Sequence, residues 1–202
     1  MNENELTGLL ESLRRMGSDD LSVEVKESAT MLSRDVWETV SAFANTAGGI
    51  IVLGVSERAG FVPVENFETE KVLNQFVAGM GDAGGRGKLA NPPKYAIERV
   101  ELQGTIVLVI TIEELDPSSK PCYVIERGAQ GGSYKRIDDK DVPLSSTEVL
   151  ALASYGRTTP SDRDAVPGAG ADDLDETLVD RTIDRAFSLT PRAMRGLSLI
   201  HI

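Results

Sequence analysis

The chain reads as an α/β (α+β) protein built on a mixed β-sheet of about six strands with flanking helices. Three observations point there. Residues 42–55, AFANTAGGIIVLGV, run from the apolar back of a helix through Asn45 and a Gly48-Gly49 stop into an apolar strand that ends at Gly54. A strand that is apolar almost without interruption is covered on both faces. Residues 95–102 and 105–112 are two strand-length segments joined by Gln103-Gly104, a two-residue hairpin signal. Leu6, Leu9, Leu10 and Leu13 recur at the spacing of an amphipathic helix over 3–16.

The remaining elements follow in order. Gly17 closes the first helix, Ser18-Asp19-Asp20 makes a turn, and 21–26 is a short strand with Glu24 and Lys26 on one face. Ser33 is the expected N-cap of the next helix, with Asp35 favourably placed in its first turn. Val36, Val40, Phe43, Ala44 and Ala47 form its apolar stripe, and Gly48 suits its left-handed exit. A helix is expected at about 68–79, where Val72, Leu73, Phe76 and Val77 face inward. Glycines and prolines make 80–93 a loop. Strands at 122–126 and 133–137 flank a Gly-rich loop, 128–132, and Leu144–Tyr155 closes the domain as a helix capped by Ser145 or Ser146. The first domain therefore spans 1–156. Residues 157–173, rich in Thr, Pro, Asp, Gly and Ala, read as a linker. Acids and arginines around Leu174, Leu178, Ile183 and Phe187 suggest that 174–196 begins a further, truncated C-terminal region.

Composition excludes several classes. A hydrophobic content of 41% in 202 residues supports a sizeable core. No segment approaches the roughly 18 apolar residues of a membrane span, and the N-terminal 16 residues carry three Glu in place of a basic, apolar leader. The single cysteine, Cys122, cannot form an internal disulfide, which fits a cytoplasmic location, and its apolar setting reads as a small buried hydrophobe. GDAGGRGKL, residues 81–89, lacks the spacing and the Ser/Thr of a phosphate-binding loop. The only histidine, His201, lies in the terminal LSLIHI. These six residues are the translation of CTGTCTCTTATACACATC, the mosaic end of a sequencing-library transposon adapter. Residues 197–202 are thus expected to be an artefact appended to a longer protein cut near Gly196, and no Ser-His-Asp hydrolase is expected.

The formal net charge of −11 disfavours indiscriminate nucleic-acid binding. The charge is uneven, however. Residues 84–95 hold Arg86, Lys88 and Lys94 with no acid, and residues 127–136 hold Arg127, Lys135 and Arg136 with no acid. Each stretch also holds a tyrosine, Tyr95 or Tyr134. Such acid-free basic loops suit a phosphate-bearing ligand at one place, although solvated loops would look the same.

A Glu-x-Lys strand (Glu24, Lys26), the AFANTAGG block running into Gly54-Val55, a hairpin, then Arg127-Gly128 and Tyr134-Lys135-Arg136 together resemble the Schlafen/AlbA-type DNA-binding domain family over about 20–155. The resemblance implies a Schlafen AlbA-like fold at the N-terminus of a bacterial protein, often followed by a RecG-like, ATP-binding region and described as a transcription regulator. ATP would then belong to the missing C-terminal region, and these residues would need no cofactor of their own. In relatives that cleave RNA, three carboxylates hold a metal. Asp19 and Glu24 supply two here, but Ser56 and then Glu57 follow Gly54-Val55 where the third acid is expected, a departure that weakens metal-dependent cleavage.

The leading expectation is a nucleic-acid-binding domain, with DNA or RNA as partner, no membrane, and a homo-oligomer left open. Lys26, Asn45, Arg86, Lys88, Arg127, Lys135 and Arg136 are its candidate contacts, and Tyr134 is the best candidate for base stacking. Trp37 reads better as core than as a stacking platform. Two alternatives stay open: a nuclease using Asp19, Glu24 and Glu57 with Mg or Mn, and a protein-interaction or sensor module that ignores nucleic acid.

Overall fold

In the computed structural model, residues 1–16 and 22–158 are described, together with 175, 177–181 and 185. The main unit spans Met1–Thr158. Its centre is a four-stranded sheet in the order β1-β2-β7-β6, made of β1 (Val23–Lys26), β2 (Gly49–Leu53), β6 (Tyr95–Leu102) and β7 (Thr105–Ile112). β1 runs parallel to β2, and the other two pairings are antiparallel. The parallel pair needs a crossover, which the helix α2 (Val36–Asn45) supplies. The fold class is the mixed α+β one expected. Its remaining short strands form three two-stranded ribbons outside the main sheet: β3 (Val55–Ser56) with β4 (Val62–Pro63), β5 (Leu89–Ala90) with β8 (Tyr123–Val124), and β9 (Tyr134–Ile137) with β10 (Lys140–Pro143).

Alternation along the strands sorts the sheet into two apolar faces. Val23, Val25, Val52, Val107 and Val109 join Leu6, Leu10 and Leu13 of α1 (Glu3–Met16) in one core cluster. Ile51, Leu53, Leu108, Ile110 and Ile112 join α2 and α3 (Thr69–Met80) in the other. This assignment has a consequence for β1. With Val23 and Val25 turned toward α1, Glu24 and Lys26 face the α2 side and are nearly enclosed there.

α2 is buried along its whole length except at Glu38. Val36, Val40 and Phe43 fill the core cluster, where full burial of each contributes roughly 1.5–3 kcal/mol. Two of its polar residues, Ser41 and Asn45, bind main chain. Ser41 Oγ donates to the carbonyl of Cys122 at 2.9 Å and accepts from the amide of Tyr134 at 3.0 Å. Asn45 Nδ2 donates to the carbonyls of Cys122 and Tyr134, both at 2.9 Å, and Oδ1 accepts from the Cys122 amide at 2.8 Å. One turn of helix therefore satisfies both backbone groups of two residues far along the chain. Gly48 ends the helix at φ +71, its amide bonded to the Phe43 carbonyl, and an added Cβ would lie 2.7 Å from the Ile112 carbonyl oxygen.

Several local expectations change. α2 starts after Asp35, and Ser33 spends its hydroxyl on the Asp35 carboxylate instead of capping the helix. The glycine-rich segment forms a short helix, α4 (Gly128–Gly132), following a 3₁₀ turn at Ile125–Arg127. β10 was not legible in the sequence pattern. The last helix of the unit, α5 (Ser146–Thr158), opens on a capping box. The Glu148 amide donates to Ser145 Oγ, and the Ser145 amide donates to the Glu148 carboxylate. α5 absorbs residues 157–158 of the expected linker. The rest of that linker and the expected adapter tail lie outside the described residues. In the second unit, Thr159–Ile202, positions 177–181 are helical, and the Leu178 amide donates to Asp175 Oδ1 at 3.0 Å. Among the described residues no helix is long and apolar enough to cross a membrane.

Asn45→Ala strands the Tyr134 carbonyl and the Cys122 amide in the interior, while Ser41 still serves the Cys122 carbonyl, and unfolding in urea should show a loss of about 3 kcal/mol. A loss under about 1 kcal/mol would contradict the role given to Asn45. The second expectation concerns acid. Lys135 and then Ser145 hold the Glu148 carboxyl down at about 2 from its ordinary 4.5. A depressed folded-state value means stability that is complete above the unfolded value and is lost as pH falls through the folded one. Glu148→Gln should therefore flatten the acid limb of a stability curve between these two values while leaving the alkaline limb unchanged.

Candidate nucleic-acid interface

The charged candidates fall into two groups that the sequence did not separate. The first is interior. Arg136, on β9, is 4% exposed; its Nη1 lies 2.8 Å from Glu24 and 2.9 Å from Asp141, and its guanidinium lies over the Phe43 ring at 5.3 Å. Lys26 Nζ lies 2.8 Å from Glu24 and 2.9 Å from Asp35, and Thr39 Oγ1 donates to Asp141 at 2.6 Å. The charges alternate in sign, as buried ions must. Burial pulls the Lys26 ammonium down, but Glu24 and Asp35 outweigh it and leave it above its ordinary value. Burial likewise works against the Arg136 guanidinium, and Asp141 and Glu24 outweigh it.

This network corrects part of the expected interface. Arg136 joins β9 to β1 and cannot reach a ligand. Asn45 is engaged with the main chain of Cys122 and Tyr134. Tyr134 is 4% exposed, with its hydroxyl accepting from Arg127, and is no stacking platform. Alternation predicts the reverse for β9, because it does not reveal that α2 covers the Tyr134 and Arg136 face. Lys135, on the opposite face of β9, is held by Glu148 of α5. The carboxylates expected for a nuclease are not gathered either. Glu24 has one oxygen against Lys26 and the other against Arg136, Glu57 is exposed beyond β3, and Asp19 lies outside the described residues. Among the described residues no three His, Cys, Asp or Glu side chains are placed to share a metal. Cys122 is wholly buried and its thiol is pushed up to about 12 by burial, which leaves it inert.

The second group is at the surface, around Trp37. Two adjoining hollows share Arg34, Trp37 and Lys88. The first, about 440 Å³, adds Met31, Leu32, Gln75, Ala78, Gly79 and Arg86. The second, about 430 Å³, adds Val124, Glu126 and Arg127. Trp37 is 9% exposed and stacks on Phe76 at 5.5 Å. It lies so close to α3 that a Cβ on Gly79 would stand 2.1 Å from its ring. Lys88 pairs with Glu126 at 2.6 Å and Arg127 with Glu38 at 2.6 Å. Lys88 first, with smaller contributions from Arg34 and Arg127, holds the Glu126 carboxyl below its ordinary value, a sign that three cations converge on it. Arg34 and Arg86 take no ion-pair partner among the described residues. Arg86, Lys88 and Arg127, from two separate basic loops, are thus brought together. Arg34 is the member that sequence reasoning missed, because Asp35 and Glu27 flank it and hide it from a search for acid-free runs.

The comparisons give this α+β domain a class. The chain belongs to the Schlafen AlbA_2 family, whose model matches residues 19–145. Among solved structures it is similar to the N-terminal domain of a protein from Nitrosomonas europaea described as related to the ATP-dependent DNA helicase RecG. The two are 28% identical, the match covers 67% of this chain and 90% of that one, and the TM-score is 0.51. A Corynebacterium diphtheriae protein is 16% identical, with 96% of this chain and 35% of that chain covered at a TM-score of 0.44. No curated protein matches the chain.

Removing one partner of the interior network should cost far more than removing a surface charge. Glu24→Gln is expected to lower stability by about 3 kcal/mol, because it leaves Arg136 and Lys26 buried with too little negative charge. Glu126→Gln, at an exposed pair, should change it by less than about 1 kcal/mol. Urea denaturation of both variants checks the contrast, and equal losses would refute it.

Proposed function

We propose that this domain binds nucleic acid through the cationic rim around Trp37. The observation that carries the reading is the convergence of Arg34, Arg86, Lys88 and Arg127 on one face of a chain whose net charge is −11. Within an acidic molecule, such a patch holds an anion at one place and rejects it elsewhere. The family membership and the RecG-related neighbour support the same ligand class. Arg34 and Arg86 would meet phosphates directly. Lys88 and Arg127 would exchange Glu126 and Glu38 for phosphate, a trade that surface ion pairs permit because each contributes little. Lys26, from the earlier candidate set, lines a third hollow formed by 26–35, where its charge is already neutralised.

Fluorescence anisotropy with labelled DNA and RNA at low salt is the direct test. Binding should weaken as salt rises, and Arg34→Ala with Arg86→Ala should reduce the slope of log K against log salt by roughly 0.7–0.9 per contact removed. Glu126→Gln should tighten binding severalfold by freeing Lys88. No binding to any nucleic acid, or binding indifferent to salt, would sink the proposal.

A further inference from the structure

The hollow beneath Arg34 and Arg86 has a chemistry that phosphate contact does not use. Its wall is mainly apolar, from Met31, Leu32, Trp37, Ala78 and Gly79, while its cations stand beside that wall. Met31 is 69% exposed, so a large apolar side chain stands in solvent at the lip of an otherwise polar surface. A site for phosphate alone would have no use for such a wall. Its volume of about 440 Å³ falls within the roughly 300–1,000 Å³ of small-ligand sites. Gln75 supplies a polar contact at the same place. Its Oε1 accepts the Leu32 amide at 2.7 Å, which fixes the orientation of the side-chain amide. The Nε2 protons then remain for an acceptor in the hollow, since no other bond from them is present among the described residues.

Apolar faces, a fixed amide donor and flanking cations are together complementary to a nucleobase whose backbone continues past the arginines. We infer that this hollow receives one unpaired nucleobase, so that the domain selects single-stranded or locally unpaired nucleic acid over intact duplex. The inference rests on the nucleic-acid reading above and adds the part of the ligand that enters. Met31 and Trp37 flank the base, Gln75 donates to one of its ring or carbonyl acceptors, and Arg34 and Arg86 hold the adjacent phosphates. A base-paired nucleotide cannot enter without leaving its stack, and that cost disfavours duplex.

The test compares three labelled probes of equal backbone charge per strand: a short oligothymidylate, the same strand with abasic sites throughout, and that oligothymidylate paired to its complement. The intact single strand should bind roughly tenfold more tightly than either of the others. Ala78→Phe fills the hollow from an exposed position on α3 without altering charge. It should abolish the preference while retaining the salt-dependent binding of the abasic strand. Met31→Ala should weaken the intact strand alone. Circular dichroism and melting of both variants show whether they fold. Equal, salt-dependent binding of all three probes overturns the base site and leaves the phosphate reading standing. A preference that survives in folded Ala78→Phe also overturns it, since the base must then lodge elsewhere. Failure of every probe to bind the wild type removes both readings.

Discussion

The unit depends on one turn of α2 acting as a piece of main chain. Ser41 and Asn45 supply the donors and acceptors that a neighbouring strand would otherwise present to Cys122 and Tyr134. Without them β8 and β9 would bring unpaired backbone groups into the interior, and such groups cost too much to leave unsatisfied. With them, β8 and β9 close over a helix that is packed on the sheet. The positions of β8 and β9 follow, and with them Arg127 at the surface hollow and Arg136 in the interior.

That closure also decides which charges are structural. Once β9 lies on α2, Arg136 is brought to Glu24 on β1 and to Asp141 on β10, and Lys26 is drawn to Glu24 and Asp35. Buried ions persist only with partners of opposite sign, so the network fixes the spacing of β1, β9 and β10 more than it adds stability. The cations around Trp37 obey a different rule. They stand in water, their pairs are weak, and Arg34 and Arg86 carry no pair among the described residues. An anion can compete there as it cannot in the interior.

The sequence resolved the regular elements well and the irregular ones poorly. The Leu6–Leu13 spacing, the apolar run into Gly54 and the Gln103-Gly104 hairpin each encode their period locally, and all three recur in the structure. Residues 128–132 looked like loop because five residues containing three glycines carry no helical signal, yet they form a short helix. Exposure along β9 was hidden in a similar way. Tyr134-Lys135-Arg136 is basic and aromatic in one dimension, yet alternate residues of a strand face opposite ways, and α2 covers two of the three. Arg34 sits among acids in sequence and among arginines and a lysine in space.

By itself, the sequence determined the mixed α+β class, the AFANTAGG helix-turn-strand and an acidic protein with basic loops. These are properties of local period, glycine conformation and composition, and they need no knowledge of distant contacts. Only the tertiary structure decided which basic residues are solvent-facing. Whether a charge is exposed depends on what packs over it, and here the covering helix lies about ninety residues away from the strand it covers. Asn45, at the heart of the most informative stretch of sequence, thereby serves the architecture, and the exposed cations gather elsewhere, around Trp37.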